Sequence, residues 1–173
     1  MRKIELPLHE HETRSDLNAD LSNAAESLLL GIDAQSARRF YSVNISQSFR
    51  LGILSSDLGP KPSIFIADDL QIAFVGHDCT VSIIDISKAI EKTSRKLDGA
   101  FFEFLIMPDN LQCIIVIYEL GVQCLDVNGR VVWNITTDVI ENYKLENGFL
   151  WLQIMDEPKP LTIHTESGTI KNN

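Results

Sequence analysis

Two short stretches of this chain carry the side chains that chemistry uses. His9-Glu10-His11-Glu12 sets two imidazoles at i,i+2 among carboxylates, a donor set that suits a metal ion. Four ligands are not visible there, however, and the stretch lies close to the N-terminus. A solvated terminal strand or tail is the expectation, and no metal is assigned. Gly76-His77-Asp78-Cys79-Thr80 brings a thiol and an imidazole together, as a Cys-His nucleophile would. Catalytic partners usually meet in space from distant positions, because adjacent side chains seldom point at one another. These five residues fall between two apolar runs ending at Val75 and starting at Val81, so they read as a polar hairpin turn followed by a buried cysteine.

The carboxylates follow the same logic. Asp68, Asp69, Asp85, Asp109 and Asp126 fall at turns or strand ends, where aspartate satisfies local backbone N–H groups. None forms an acid–base pair. The chain has no glycine-rich phosphate loop, no G-x-S-x-G elbow and no H-E-x-x-H helix. Neither catalytic nor cofactor-binding residues are assigned, and the chain is expected not to be an enzyme. A divergent enzyme would need His77 or His164 to converge with acidic residues in one cleft.

Composition narrows the partners. The chain of 173 residues is 45% hydrophobic and 23% charged, a globular composition rather than a disordered one. Its net charge of −9 repels nucleic-acid phosphates and anionic lipids. The densest basic runs, Arg38-Arg39 and residues 92–96, are too small to outweigh that total, so neither nucleic acid nor membrane is expected as a partner. Arg2 and Lys3 are followed by Glu5, Pro7 and the His/Glu run where a signal peptide would be apolar, and no window is long and apolar enough to span a bilayer. Cys79, Cys113 and Cys124 are odd in number and lack C-x-x-C spacing, which suits buried thiols in a reducing compartment. A cytoplasmic location is the expectation.

The elements that position these residues repeat. Asn128-Gly129 joins residues 121–127 to 130–135, and Asn-Gly supplies the positive φ angles of a two-residue hairpin. Glu119 to Gly121 and Pro108-Asp109-Asn110 are further turns, so residues 101–135 hold four short strands joined by three turns. A four-stranded meander of this length is the unit of a β-propeller blade. Displacing the sequence by 41 positions pairs Asp68 with Asp109, Leu70 with Leu111, Gln71 with Gln112, Val75 with Val116, Val81 with Val122 and Asp85 with Asp126. A displacement of 39 carries the pattern forward, placing Leu111 on Leu150, Val122 on Leu161 and Gly129 on Gly168, with Asn147-Gly148 as another hairpin turn. A fainter copy precedes them, since Val43-Asn44-Ile45-Ser46 falls on Ile84-Asp85-Ile86-Ser87.

Cys124-Leu125-Asp126-Val127-Asn128-Gly129-Arg130-Val131-Val132-Trp133 resembles the end of a blade in the quinoprotein (PQQ-like) β-propellers. The resemblance implies that Gly129 makes the turn and that Trp133 packs between neighbouring blades. The first unit has Ser87-Lys88 in place of the glycine, and the third ends where its tryptophan would stand. No cofactor-binding residue of that family maps onto this chain, so the resemblance implies a fold and no chemistry.

A mainly β, propeller-like and incomplete array of four-stranded antiparallel meanders is therefore expected, as one domain of residues 1–173. Residues 1–35 would form an N-terminal tail and helix, and residues 36–173 the meander units. The helix is read over residues 16–30 from Leu17, Leu21, Ala24, Ala25 and Leu28, with Ser15 or Asp16 capping its start and Gly31 its end. A second helical stretch is read after the first unit from Ile86, Ala89, Ile90, Thr93 and Leu97, with Glu91 and Arg95 at i,i+4. Phe101, Phe102, Phe104, Trp133, Tyr143, Phe149 and Trp151 are core first, with some left to face outward. An unfinished array leaves apolar faces and unpaired edges that something must cover: the helix, a second copy or another protein. The expected function is a non-enzymatic protein-interaction module of adaptor or toxin-neutralising type. A small-ligand-binding β-domain is the alternative, ahead of a divergent enzyme.

Overall fold

A computed structural model describes residues 6–31, 35–57, 59–106 and 113–171. The turn expected at Pro108-Asp109-Asn110, together with Leu111 and Gln112, lies outside the described residues, as does the side chain of Asp68. The chain divides into two compact units, Met1–Lys96 and Leu97–Asn173. Each contains two four-stranded sheets.

In the first unit, β1 (His9–His11), β2 (Glu26–Gly31), β3 (Arg39–Asn44) and β4 (Phe49–Ser55) form a sheet in the order β1-β3-β4-β2. Its pairs are antiparallel except for β2, which runs parallel to β4. β5 (Ser63–Ala67), β6 (Ile72–His77), β7 (Thr80–Asp85) and β8 (Ile90–Lys96) make an antiparallel meander. Tyr41, Val43, Phe49, Leu51 and Ile53 from one sheet and Ile64, Ile66, Ala73, Val75 and Ile84 from the other share a buried core. So the fainter first copy is a real sheet: Val43-Asn44 and Ile84-Asp85 each close a strand before a turn.

The helix and this sheet coexist, which corrects the reading of residues 16–30. α1 (Arg14–Leu21) starts earlier than expected, because Thr13 caps it: the Thr13 hydroxyl accepts from the Asp16 amide at 3.2 Å, while the Asp16 carboxylate accepts from the Thr13 amide at 3.1 Å. Leu17 and Leu21, one turn apart, bury against Ala37, Leu54 and Phe40 on the sheet face opposite the shared core. Gly52 permits this approach, since a Cβ there would lie 2.7 Å from Leu21 Cδ1. The chain then leaves the helix, and Leu28 and Leu30 turn into the core as alternate residues of β2. Leu28 fits both the helical stripe and the strand, and pairing with β4 decides between them.

The second expected helix is β8. Residues 86–89 form a tight turn in which the Asp85 carboxylate accepts from Ser87 Oγ at 2.6 Å and from the Lys88 amide at 3.2 Å, with Ala89 at φ +50°. Ile90–Lys96 then pairs along β7, with a bulge opposite Ile83 and Ile84. An edge strand exposed on both faces shows no alternation of apolar and polar residues, so only the misleading helical spacing was visible.

In the second unit, β9 (Phe101–Ile106), β10 (Cys113–Tyr118), β11 (Gly121–Asp126) and β12 (Val131–Thr136) form one meander. β13 (Ile140–Glu146), β14 (Phe149–Ile154), β15 (Leu161–His164) and β16 (Ile170–Lys171) form the other. The displacement of 41 carries β6 onto β10 and β7 onto β11 residue for residue. Asn147 (φ +50°) and Gly148 (φ +77°) make the expected two-residue hairpin. The Asn128-Gly129 turn is one residue longer than expected. The Asp126 amide donates to the Arg130 carbonyl, Gly129 alone takes a positive φ (+78°), and the Asp126 carboxylate accepts from the Asn128 and Arg130 amides at 2.8 Å each.

Ile115, Ile117, Val122, Cys124 and Trp133 pack against Ile140, Leu150, Leu152, Ile154 and Ile163 between these two sheets. Trp133 is 9% exposed, and its indole N–H donates to the Thr165 carbonyl at 2.9 Å. It therefore joins the sheet it belongs to with the turn after β15, the inter-sheet role that the resemblance implied. No helix among the described residues is long and apolar enough to cross a membrane.

Candidate functional site

Of the residues singled out for chemistry, His11 and Asp78 tie strands and turns together. His11 Nε2 lies 2.9 Å from Ser42 Oγ, and that hydroxyl donates to Asp20 at 2.6 Å. Asp20 also receives the Arg50 guanidinium, which in turn donates to Asn44 Oδ1 at 2.7 Å. This network ties β1 to α1, β3 and β4. It contains Ser, His and Asp, but the serine proton goes to the carboxylate rather than to the imidazole, the reverse of an activated nucleophile. His9 stacks edge-on against His11, and Glu10 pairs with Lys61 at 3.2 Å. Among the described residues no three His, Cys, Asp or Glu side chains gather closely enough for a metal.

Asp78, in the turn between β6 and β7, sits at φ +45°. One of its carboxylate oxygens accepts from Ser55 Oγ at 3.0 Å, the Ser56 amide at 2.9 Å and Ser56 Oγ at 2.6 Å, and the other lies 3.4 Å from His77 Nδ1. Burial acts to raise the Asp78 carboxyl, but the hydrogen bonds from His77, Ser56 and Ser55 outweigh it and bring the pKa down to about 2. A permanently charged carboxylate thus ties β4 to the β6–β7 turn. His77 is only 3% exposed, and among the described residues its Nε2 has no hydrogen-bond partner. Cys79 is half-buried in the same turn. His164 stands apart, near Ser167 Oγ (3.4 Å) and edge-on to the Phe149 ring.

Two hollows flank the last strand of the second unit. The second sheet of this unit tapers, its strands holding seven, six, four and two residues. β16 pairs with β15 through Thr162–Lys171 and Ile163–Ile170, and among the described residues nothing pairs with its outer edge. Ile170 is 44% exposed there. On the face shared with the inter-sheet core, a groove of about 540 Å³ is lined by the apolar Ile135, Ile154, Leu161 and Ile170 and by the charged Asp138, Glu157, Lys159 and Lys171. On the opposite face, a shallower hollow of about 430 Å³ is lined by Phe149, His164, Ser167, Thr169 and Lys171. The Lys171 ammonium lies 5.4 Å from the centre of the Phe149 ring. Trp151, 36% exposed, lies on this second face beside Thr162. One short edge strand therefore has a hollow on each of its faces. Periodicity could not find this site, because two residues carry no period. The one available signal was Gly168, which closes the turn that delivers β16.

No family model matches the chain, and no curated protein matches it. Solved structures do. The chain is similar to apo AztD from Citrobacter koseri (9% identity, TM-score 0.50), over 86% of its own length and 47% of that chain. It is similar to BamB from Moraxella catarrhalis (15% identity, TM-score 0.52), over 95% of its own length and 50% of that chain. Both are β-propeller-type folds, and the likeness supports a propeller-like fold here. The chain spans about half the length of these structures.

Proposed function

We propose that this chain is a non-enzymatic protein-interaction module that receives an extended segment of a partner protein along β16. The observation that carries this reading is the pair of hollows flanking one unpaired edge. Successive side chains of a strand point to opposite faces. A strand added to β16 would therefore send alternate residues into the groove beside Ile135 and Ile170 and into the hollow beside Phe149. Main-chain hydrogen bonds supply affinity in such binding, and the side-chain pockets supply selectivity. The propeller-like fold is compatible with a binding role, and an adaptor or toxin-neutralising protein is the specific form we favour.

The test is capture of partners from the native host by the tagged chain, repeated with Ile170→Asp. A stoichiometric protein retained by the wild type and lost from the variant supports the site. Burying the exposed part of one isoleucine is worth about 1 kcal/mol, and placing a carboxylate there costs several times more, so loss should exceed about tenfold. Equal retention by both proteins overturns the β16 site. If no protein is retained, the 540 Å³ groove favours the small-ligand reading, since ligand pockets fall in that size range.

A further inference from the structure

β8 is a basic edge on an acidic chain. Lys88, Lys92, Arg95 and Lys96 fall between Asp85 and Asp98 with one carboxylate, Glu91, among them, while the whole chain carries −9. Only Lys88 is paired, at 3.5 Å from Asp85. Lys92, Arg95 and Lys96 make no ion pair among the described residues, and the Arg95 Nε is buried without a partner. All of β8 except Arg95 is exposed. One edge of the strand is bonded to β7, from Thr80–Lys96 to Asp85–Ile90, and among the described residues no strand pairs with the other.

We propose that this free edge accepts an acidic, extended peptide segment as an added strand. The surface lies in the first unit and does not depend on the β16 reading. An open edge offers backbone N–H and C=O groups to any strand, and lysine is the usual guard against unwanted pairing. That guard is selective. A second β8 would set cations against cations, and an apolar segment would have to strip water from the exposed Lys92 and Lys96. A segment with Glu or Asp at alternate positions gathers its carboxylates on one face, where the exposed Lys96 offers an opposite charge across the new ladder, a favourable cross-strand arrangement. The bulge at Lys92 keeps the edge from running flat, which disfavours long uninterrupted sheets and suits a short segment.

The probe is a labelled peptide of about six residues alternating Glu and Val, a typical strand length, followed by fluorescence anisotropy at low salt. Binding is expected, with weakening as salt shortens the reach of charge from about 10 Å at 0.1 M to about 3 Å at 1 M. Lys92→Glu with Lys96→Glu should weaken it by about tenfold or more, since each reversed pair contributes up to about 1 kcal/mol. Methylating alternate amides of the peptide removes ladder donors and leaves its charge, so it should abolish binding to the wild type. This arm holds even if the charge-reversed protein fails to fold. Ile170→Asp should leave binding unchanged. The proposal is overturned if the wild type does not bind at low salt, if the methylated peptide binds as well as its parent, or if a single-stranded oligonucleotide of equal charge binds as tightly as the peptide.

Discussion

Gly168→Ala should destabilise the second unit well beyond the cost of a methyl added at an open turn. Gly168 adopts φ +68°, and a Cβ built on it would lie 2.7 Å from Trp133 Cγ and 2.8 Å from Cδ2. The indole cannot retreat, because its N–H is held by the Thr165 carbonyl and its ring is packed in the inter-sheet core. Two costs add. The left-handed backbone costs an L-residue about 1–2 kcal/mol, and overpacking against a fixed ring costs about 1–3 kcal/mol more. Gly148 separates them. It takes φ +77° with nothing within 4 Å of its would-be Cβ, so Gly148→Ala should show the backbone cost alone. The difference of about 1–3 kcal/mol between the two variants is then the clash with Trp133.

Urea unfolding followed by tryptophan emission is the assay. Both tryptophans, Trp133 and Trp151, belong to the second unit, so the signal reports that unit alone. Equal destabilisation by the two substitutions would refute the contact. So would a Gly168→Ala penalty that persists undiminished when Trp133→Leu removes the ring, because a clash must vanish with its partner.

Asp78 should make the first unit acid-sensitive. Its folded pKa of about 2 lies below the ordinary carboxylate value, so its stabilisation is present above about pH 4 and is lost as pH falls through 2, amounting to about 1–2 kcal/mol after allowance for solvent screening. Asp78→Asn should flatten that part of the stability–pH curve, and an unchanged curve would count against the Ser55, Ser56 and His77 contacts. Cys124 should resist alkylation at pH 8 until the protein unfolds, since burial and then the neighbouring Cys113 thiol push its pKa up to about 12. Mass spectrometry of the native alkylated protein checks this, and rapid labelling of Cys124 would refute it. Tyr143 is raised to about 12 by burial and by the 2.8 Å hydrogen bond it donates to Glu103. In an ultraviolet titration Glu103→Gln should bring it back toward 10, while an unmoved midpoint would leave burial as the sole cause.

Much of the architecture was legible because strand repeats leave a local trace. Asn147-Gly148 demands positive φ at both positions, and Asp85 and Asp126 satisfy the amides of the turns that follow them, so three of the punctuation marks were visible as chemistry. The helical readings failed where tertiary pairing overrode spacing. Leu28 satisfies a helix stripe and a strand face equally well, and only β4 beside it decides the matter. The two stretches were legible as residue types but not as roles, because only folding brings Ser42 and Asp20 to His11 and brings Ser55 and Ser56 to Asp78.

The two candidate surfaces share a physical basis that explains why sequence patterns missed them. Periodicity reports residues that are buried, since burial is what imposes a period on a strand. A free edge is defined by the partner it lacks. β16 is too short to carry a period, and β8 is exposed on both faces, so neither differs locally from a loop or a solvated helix. Their chemistry nevertheless differs. β16 offers an exposed isoleucine between two hollows, where a captured strand gains chiefly from apolar burial. β8 offers unpaired cations, where it gains from charge. Salt should therefore separate the two, weakening an acidic peptide at β8 steeply and a segment anchored on Ile170 at β16 less, although Glu157, Lys159 and Lys171 also line that groove. Identical salt dependence at both edges would mean that one kind of force governs them, and the division between an apolar and an electrostatic edge would fall.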